Sequence, residues 1–168
     1  MPSLVGSEMC IRDRTGGVPV PKRDPSRQAY RLLEIERYGK KLNININKQP
    51  KFFPPADPHK AALFAIAAIK NGSILDFGKS VLTKLWSEEQ DISSDSTLET
   101  ICKELGLSFA DLKKDADNEE IKSVYLSNSK DAISKGVFGA PSFIIDNELF
   151  WGQDRLDFLE DKIKSLQK

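Results

Sequence analysis

The sequence predicts one α/β domain in which a long all-helical stretch precedes a helix, strand, hairpin turn, strand and helix. Apolar residues recur at helical spacing, between cap residues and glycine stops, from Asp24 to Gly136. That period then breaks: Phe143-Ile144-Ile145 and Leu149-Phe150-Trp151 are short β-favouring runs on either side of Asp146-Asn147, a pair that tolerates positive φ. Leu156, Leu159 and Ile163 then share one face of a closing helix. A length of 168 residues suits a single domain, since domains commonly hold roughly 100 to 200 residues.

Residues 1-14 read as a non-native or irregular leader. They have neither helical nor strand period, and they resemble a translated adapter-like leader more than the start of this domain. Arg12, Asp13 and Arg14 stand where a secretory signal would need its small-residue cleavage site. The domain proper is therefore expected over residues 15-168.

After a proline-rich loop from Val18 to Pro25, Asp24 caps a helix with Pro25 at its first position, predicted to reach about Tyr38 with Gly39 just beyond. Asn43 to Phe53 carries Pro50 and leads into Pro54-Pro55, so it reads as an extended loop. Asp57-Pro58 repeats the cap-then-proline start. The run that follows, HKAALFAIAAIKNG, is apolar almost all round, which predicts a helix buried on most sides. Further helices are predicted from about Ile74 to Trp86, from about Asp95 to Leu105, and as a short turn at Ser108 to Lys113. Asp117 with Glu120 has the spacing of a capping box opening a helix to Gly136. Strands at Pro141 to Ile145 and Glu148 to Trp151, and a helix from about Asp154 to Ser165, complete the order. The uninterrupted apolar run Phe143 to Ile145 suggests a strand buried on both faces, yet the sequence supplies no convincing strand to lie on its other side.

Twenty-five basic and twenty-five acidic residues balance, which argues against nucleic acid or an anionic membrane as the partner. The longest apolar stretch, Ala61 to Ile69, falls well short of the roughly 20 residues that cross a bilayer. Without a targeting segment the expected location is the cytoplasm. Cys10 and Cys102 form no Cys-x-x-Cys pair and the chain has one histidine, which argues against a dithiol centre and a metal site. Cys102 falls in helical register with Leu98, Ile101 and Leu105, as a small buried hydrophobe does. His59, in the first turn of its helix, reads as a surface or local packing residue.

The segment GVFGAPSFIIDNELFWGQDRLDFLE, Gly136 to Glu160, resembles the 2-hydroxychromene-2-carboxylate isomerase and kappa-class glutathione transferase family, part of the DsbA-like thioredoxin superfamily. The likeness extends more weakly through TGGVPVPKRDPSRQAYRL, Phe52-Phe53-Pro54 and LWSEEQDIS. It implies a thioredoxin-like fold with a helical insertion, here at about residues 25-115, followed by a helix-hairpin-helix unit at about 117-166. The family's first β-α-β unit, whose leading strand would flank Phe143 to Ile145, is expected to be missing from these residues. The chain is accordingly expected to be an incomplete, N-terminally truncated form.

The resemblance also implies glutathione as cofactor and a small aromatic substrate, with a homodimer as the family's common assembly. Ala140 and Pro141 match the cis-proline loop, where backbone groups pair with the peptide-like cofactor. Gln153 and Asp154 match the turn that receives its γ-glutamyl end, with Asp154 either meeting the ligand's ammonium, capping the helix, or both. Arg27 lies near a basic position that meets the glycyl carboxylate, though a solvated helix charge is the plainer reading. Gly17 replaces a common asparagine. Trp151 and Phe150 either line an acceptor pocket or belong to the core. In the family a serine from an Asp-x-x-Ser-Pro segment activates the thiolate, and no such segment precedes Thr15, so no catalytic residue is assigned. The expected activity is cis-trans isomerisation or glutathione transfer. A DsbA-like oxidoreductase fragment and a non-enzymatic helical interaction module are the alternatives.

Overall fold

The computed structural model of the chain describes residues 15–167, so the leader and Cys10 lie outside the described residues. The α-helices are α1 Pro25–Leu42, α2 Lys60–Ala67, α3 Ile74–Trp86, α4 Asp95–Glu104, α5 Phe109–Ala116, α6 Glu119–Ser134 and α7 Leu156–Leu166. Between α6 and α7 lie β1 Ser142–Ile145 and β2 Glu148–Trp151.

Caps and chain breaks set most of these ends. Asp24 accepts from the Ser26 amide at 2.9 Å and Pro25 opens α1, as the sequence predicts. The predicted stop at Gly39 is wrong: α1 continues to Leu42, and Asn43 turns it off in the left-handed region at φ 51°. Gly39 serves packing instead, because a Cβ there would stand 2.7 Å from Ile46 Cγ2, so the returning loop needs a bare backbone. At α2, Asp57 accepts from the His59 amide at 2.9 Å and from that of Lys60 at 3.2 Å. Ser94 and Ser108 cap α4 and α5, with α5 longer than its predicted single turn. The capping residue of α6 is Asn118, which accepts from the Glu120 amide at 3.0 Å; Asp117 is one residue too early.

Helix α2 explains its apolar sequence by packing on two sides. One side joins Phe64 and Ala65 to Phe77, Val81 and Leu85 of α3, Leu98, Ile101 and Cys102 of α4, and Leu112 of α5. The other sets Ala62 and Ile66 against Ile121 and Tyr125 of α6. Each such large side chain contributes roughly 1.5–3 kcal/mol by leaving water, so the helical insertion holds most of the apolar stabilisation. Lys84 spans the edge of this bundle, its ammonium 2.7 Å from Glu104 and 2.9 Å from Glu88. Glu104 and then Glu88 hold its pKa above the ordinary lysine value. Cys102 is fully buried, and burial pushes its thiol up.

The hairpin forms as the sequence predicts. Its strands pair antiparallel from Ser142 opposite Trp151 to Ile145 opposite Glu148. Asp146 and Asn147 both take positive φ, 51° and 62°, in the two-residue turn. Among the described residues β1 has no neighbour on its other edge, and Phe143 is 37% exposed. The closing helix begins later than predicted, since Gln153–Arg155 form a 3-10 turn before α7.

Candidate functional site

The hairpin register brings the four expected cofactor-contacting residues to one end of the molecule. Ser142 begins β1 and Trp151 ends β2, so the loop before the first and the turn after the second lie side by side. The Gly152 amide donates to the Pro141 carbonyl at 2.9 Å and ties them together. The Ala140-Pro141 bond is cis, as the resemblance implies.

Backbone groups at this end remain open. Neither the N–H nor the C=O of Ala140 is hydrogen-bonded among the described residues, although the neighbouring Pro141 and Gly139 carbonyls both are. The amides of Gln153 and Asp154 are likewise unbonded there. An extended peptide can pair with a free N–H and C=O on one residue, and an anion is favoured by amides that open a helix. Asp154 does not cap α7 through its side chain; one carboxylate oxygen pairs with Arg155 at 2.7 Å. Asp154 therefore presents a fixed negative group beside free amides, the arrangement that receives an amino acid's ammonium and carboxylate together.

The two strand aromatics divide the roles proposed for them. Phe150 is in the core, whereas Trp151 is 51% exposed and turns toward the cis-proline loop. Its indole lies 4.8 Å from the Phe138 ring, at a 58° tilt. Gly139 sits beneath it, where a Cβ would be 2.7 Å from Trp151 Nε1. Phe138 and Gly139 open the segment that resembles the cis-proline loop, and their contact with Trp151 follows from the two-residue turn, which fixes Trp151 opposite Ser142. An open groove of about 680 Å³ between β2 and α7 has Leu149, Trp151, Arg155, Phe158 and Lys162 on its walls.

Other candidates lie elsewhere. Arg27 is exposed on the first turn of α1, as a solvated charge. Gly17 precedes α1 and supplies no side chain. His59 is half-buried, its Nδ1 2.8 Å from the Tyr125 hydroxyl, which places it in local packing between α2 and α6. No group of three or more His, Cys, Asp or Glu that could hold a metal occurs among the described residues. No helix among them is long and apolar enough to cross a membrane.

This hairpin, cis-proline loop and helical insertion define a thioredoxin-type architecture. The chain belongs to the DsbA-like thioredoxin domain family, whose profile matches residues 8–164. It is similar to a 2-hydroxychromene-2-carboxylate isomerase of Sphingobium xenophagum, 28% identical over 129 residues. That alignment covers 77% of this chain and 64% of the relative, so the chain spans a little under two thirds of the relative's length. In fold it resembles a solved 2-hydroxychromene-2-carboxylate isomerase, with a TM-score of 0.76 at 20% identity, over 95% of this chain and 77% of the other.

Proposed function

We propose that this chain binds glutathione at the cis-proline end of its hairpin and serves a glutathione-dependent isomerisation of the 2-hydroxychromene-2-carboxylate type. Transfer of glutathione to a small aromatic acceptor is the alternative chemistry of the same site. The observation that carries the reading is the unbonded backbone of Ala140, tied through the Pro141–Gly152 bond to the free amides of Gln153 and Asp154. The similarity to a named isomerase supports it. The cytoplasm, where reduced glutathione is abundant, is the matching location.

In this reading the Ala140 N–H and C=O hold the tripeptide's backbone in extended form. Asp154 takes the γ-glutamyl ammonium, and the amides at Gln153 and Asp154 take its carboxylate. Phe138 and Trp151 exclude water from one side and offer an apolar face to an aromatic acceptor. Bound glutathione supplies a thiolate able to add to a conjugated double bond and leave again once the bond has rotated. Ser142 is not a donor to that thiolate, because its hydroxyl already donates to the Gly139 carbonyl at 2.6 Å. The described residues therefore contribute binding and orientation. Disulfide exchange fits them less well, since Cys102 is buried with its thiol pushed above the ordinary value.

Calorimetric titration with reduced glutathione tests the reading. Saturable binding is expected, weakened about tenfold or more by Asp154→Ala, as loss of a charge-assisted hydrogen bond implies. A cooperatively melting chain that takes up no glutathione would sink it.

A further inference from the structure

A second set of open polar groups lies on α1, apart from the hairpin. The guanidinium carbon of Arg31 is 5.6 Å from the Phe53 ring centre and 5.7 Å from that of Trp86. The two rings lie 4.8 Å apart at a 43° tilt, so they form a shallow aromatic cradle. Arg31 is half-buried, yet it has no carboxylate, carbonyl or hydroxyl partner among the described residues. Burial first, and then the nearby Arg23, pull its pKa below the ordinary arginine value. Arg23 has no acidic partner among the described residues either: its Nε donates to the Val18 carbonyl at 2.9 Å.

This combination is unusual for a structural arginine. A half-buried guanidinium normally meets a carboxylate, because losing water without replacing its hydrogen bonds is costly. Here two aromatic rings flank the delocalised cation, and its N–H donors have no acceptors among the described residues. A second arginine nearby, held by its own bond to Val18, raises the local positive field. The N–H fork of a guanidinium matches the two oxygens of a carboxylate, which it can bind through parallel charge-assisted bonds.

We propose that Arg31, cradled by Phe53 and Trp86 and supported by Arg23, is a receptor for the carboxylate of an organic acid. Two sources share that chemistry: an aromatic acid, which would make this the acid-recognising part of the acceptor site, and the glycyl end of glutathione. The geometry on α1 is independent of the cis-proline loop, so a receptor for an aromatic acid stands without the glutathione reading, whereas a receptor for the glycyl end rests on it.

Calorimetry on the full chain decides between the sources, with sodium benzoate, its neutral analogue benzamide, and reduced glutathione as probes. Arg31→Gln, Arg31→Lys and Arg23→Gln are compared with the unchanged chain, and each variant's melting curve reports whether it folds. Benzoate binding that Arg31→Gln weakens about tenfold or more, with benzamide inert, supports an aromatic-acid receptor. Arg31→Lys retains the charge but not the planar fork, so about a threefold or greater loss is expected even where the fold is intact. Should only glutathione respond to these substitutions, the receptor is the tripeptide's. If glutathione binds and depends on Asp154 but not on Arg31, while benzoate fails to bind, the proposed function survives and this proposal is overturned. Binding of either acid unchanged in folded Arg31→Lys and Arg23→Gln chains also overturns it, leaving Arg31 as a packing contact alone.

Discussion

At Gly139 a missing side chain decides how an aromatic wall stands. The Trp151 indole rests where a β-carbon would be, 2.7 Å from Nε1 and 3.3 Å from Cε2. Gly139→Ala should therefore push Trp151 away from Phe138. Half of Trp151 already faces solvent, so the ring has somewhere to go, and the expected destabilisation is about 1 kcal/mol, the lower end for overpacking. Tryptophan fluorescence should shift to the red and glutathione affinity should fall several-fold; an unchanged spectrum with unchanged binding would mean that the contact does not shape the site. The sequence shows GAP but does not by itself show why its glycine matters. That needs the register, which puts residue 151 opposite residue 142, and hence the indole over the loop. Asp154 was legible as a helix-start residue, but its pairing with Arg155 instead of a capping bond depends on the 3-10 turn that delays α7.

Helices were legible wherever both a cap and an apolar period marked them, and their ends misread where a long-range contact intervened. Gly39 looks like a stop because glycine ends many helices, yet Ile46 comes back from beyond the helix to pack against it. The same end of α1 carries an electrostatic link invisible in one-dimensional spacing. Glu36 meets Lys40 of its own helix at 2.7 Å and Lys48 of the following loop at 3.0 Å. Hydrogen bonds from Lys40 and then Lys48 lower its pKa to about 2. A depressed carboxylate pKa contributes stability above the unfolded value, roughly 4.3 for glutamate, and loses it as pH falls through the folded value. The anchorage of the loop should accordingly loosen between about pH 4 and pH 2. A carboxyl-carbon NMR titration of Glu36 should give a midpoint near 2 that rises in Lys48→Met; a midpoint near the ordinary value would show that neither lysine holds the carboxylate in solution.

Across the whole molecule, apolar burial is unevenly shared. Phe77, Leu85, Leu98 and Ile101 are completely buried in α3 and α4, whereas α7 has no buried residue. Leu156, Phe158 and Leu166 of α7 are exposed, and Phe143 faces outward from a strand with one unpaired edge among the described residues. A segment that buries little loses little on opening, so the hairpin and α7 should open locally while the bundle stays closed. The difference in opening free energy should be on the order of a few kcal/mol, since the bundle can approach the global stability and α7 cannot. Hydrogen exchange followed by mass spectrometry should therefore show amides of α7 and β1 exchanging first and those of α3 and α4 last, in separable steps. Adding glutathione should slow exchange at the cis-proline loop and the start of α7, because a ligand that bridges them stabilises only the closed form. Uniform exchange across hairpin and bundle would instead mean that the two unfold as one cooperative unit, and that the exposed apolar faces are covered in solution by a partner, a second copy of the chain being the simplest.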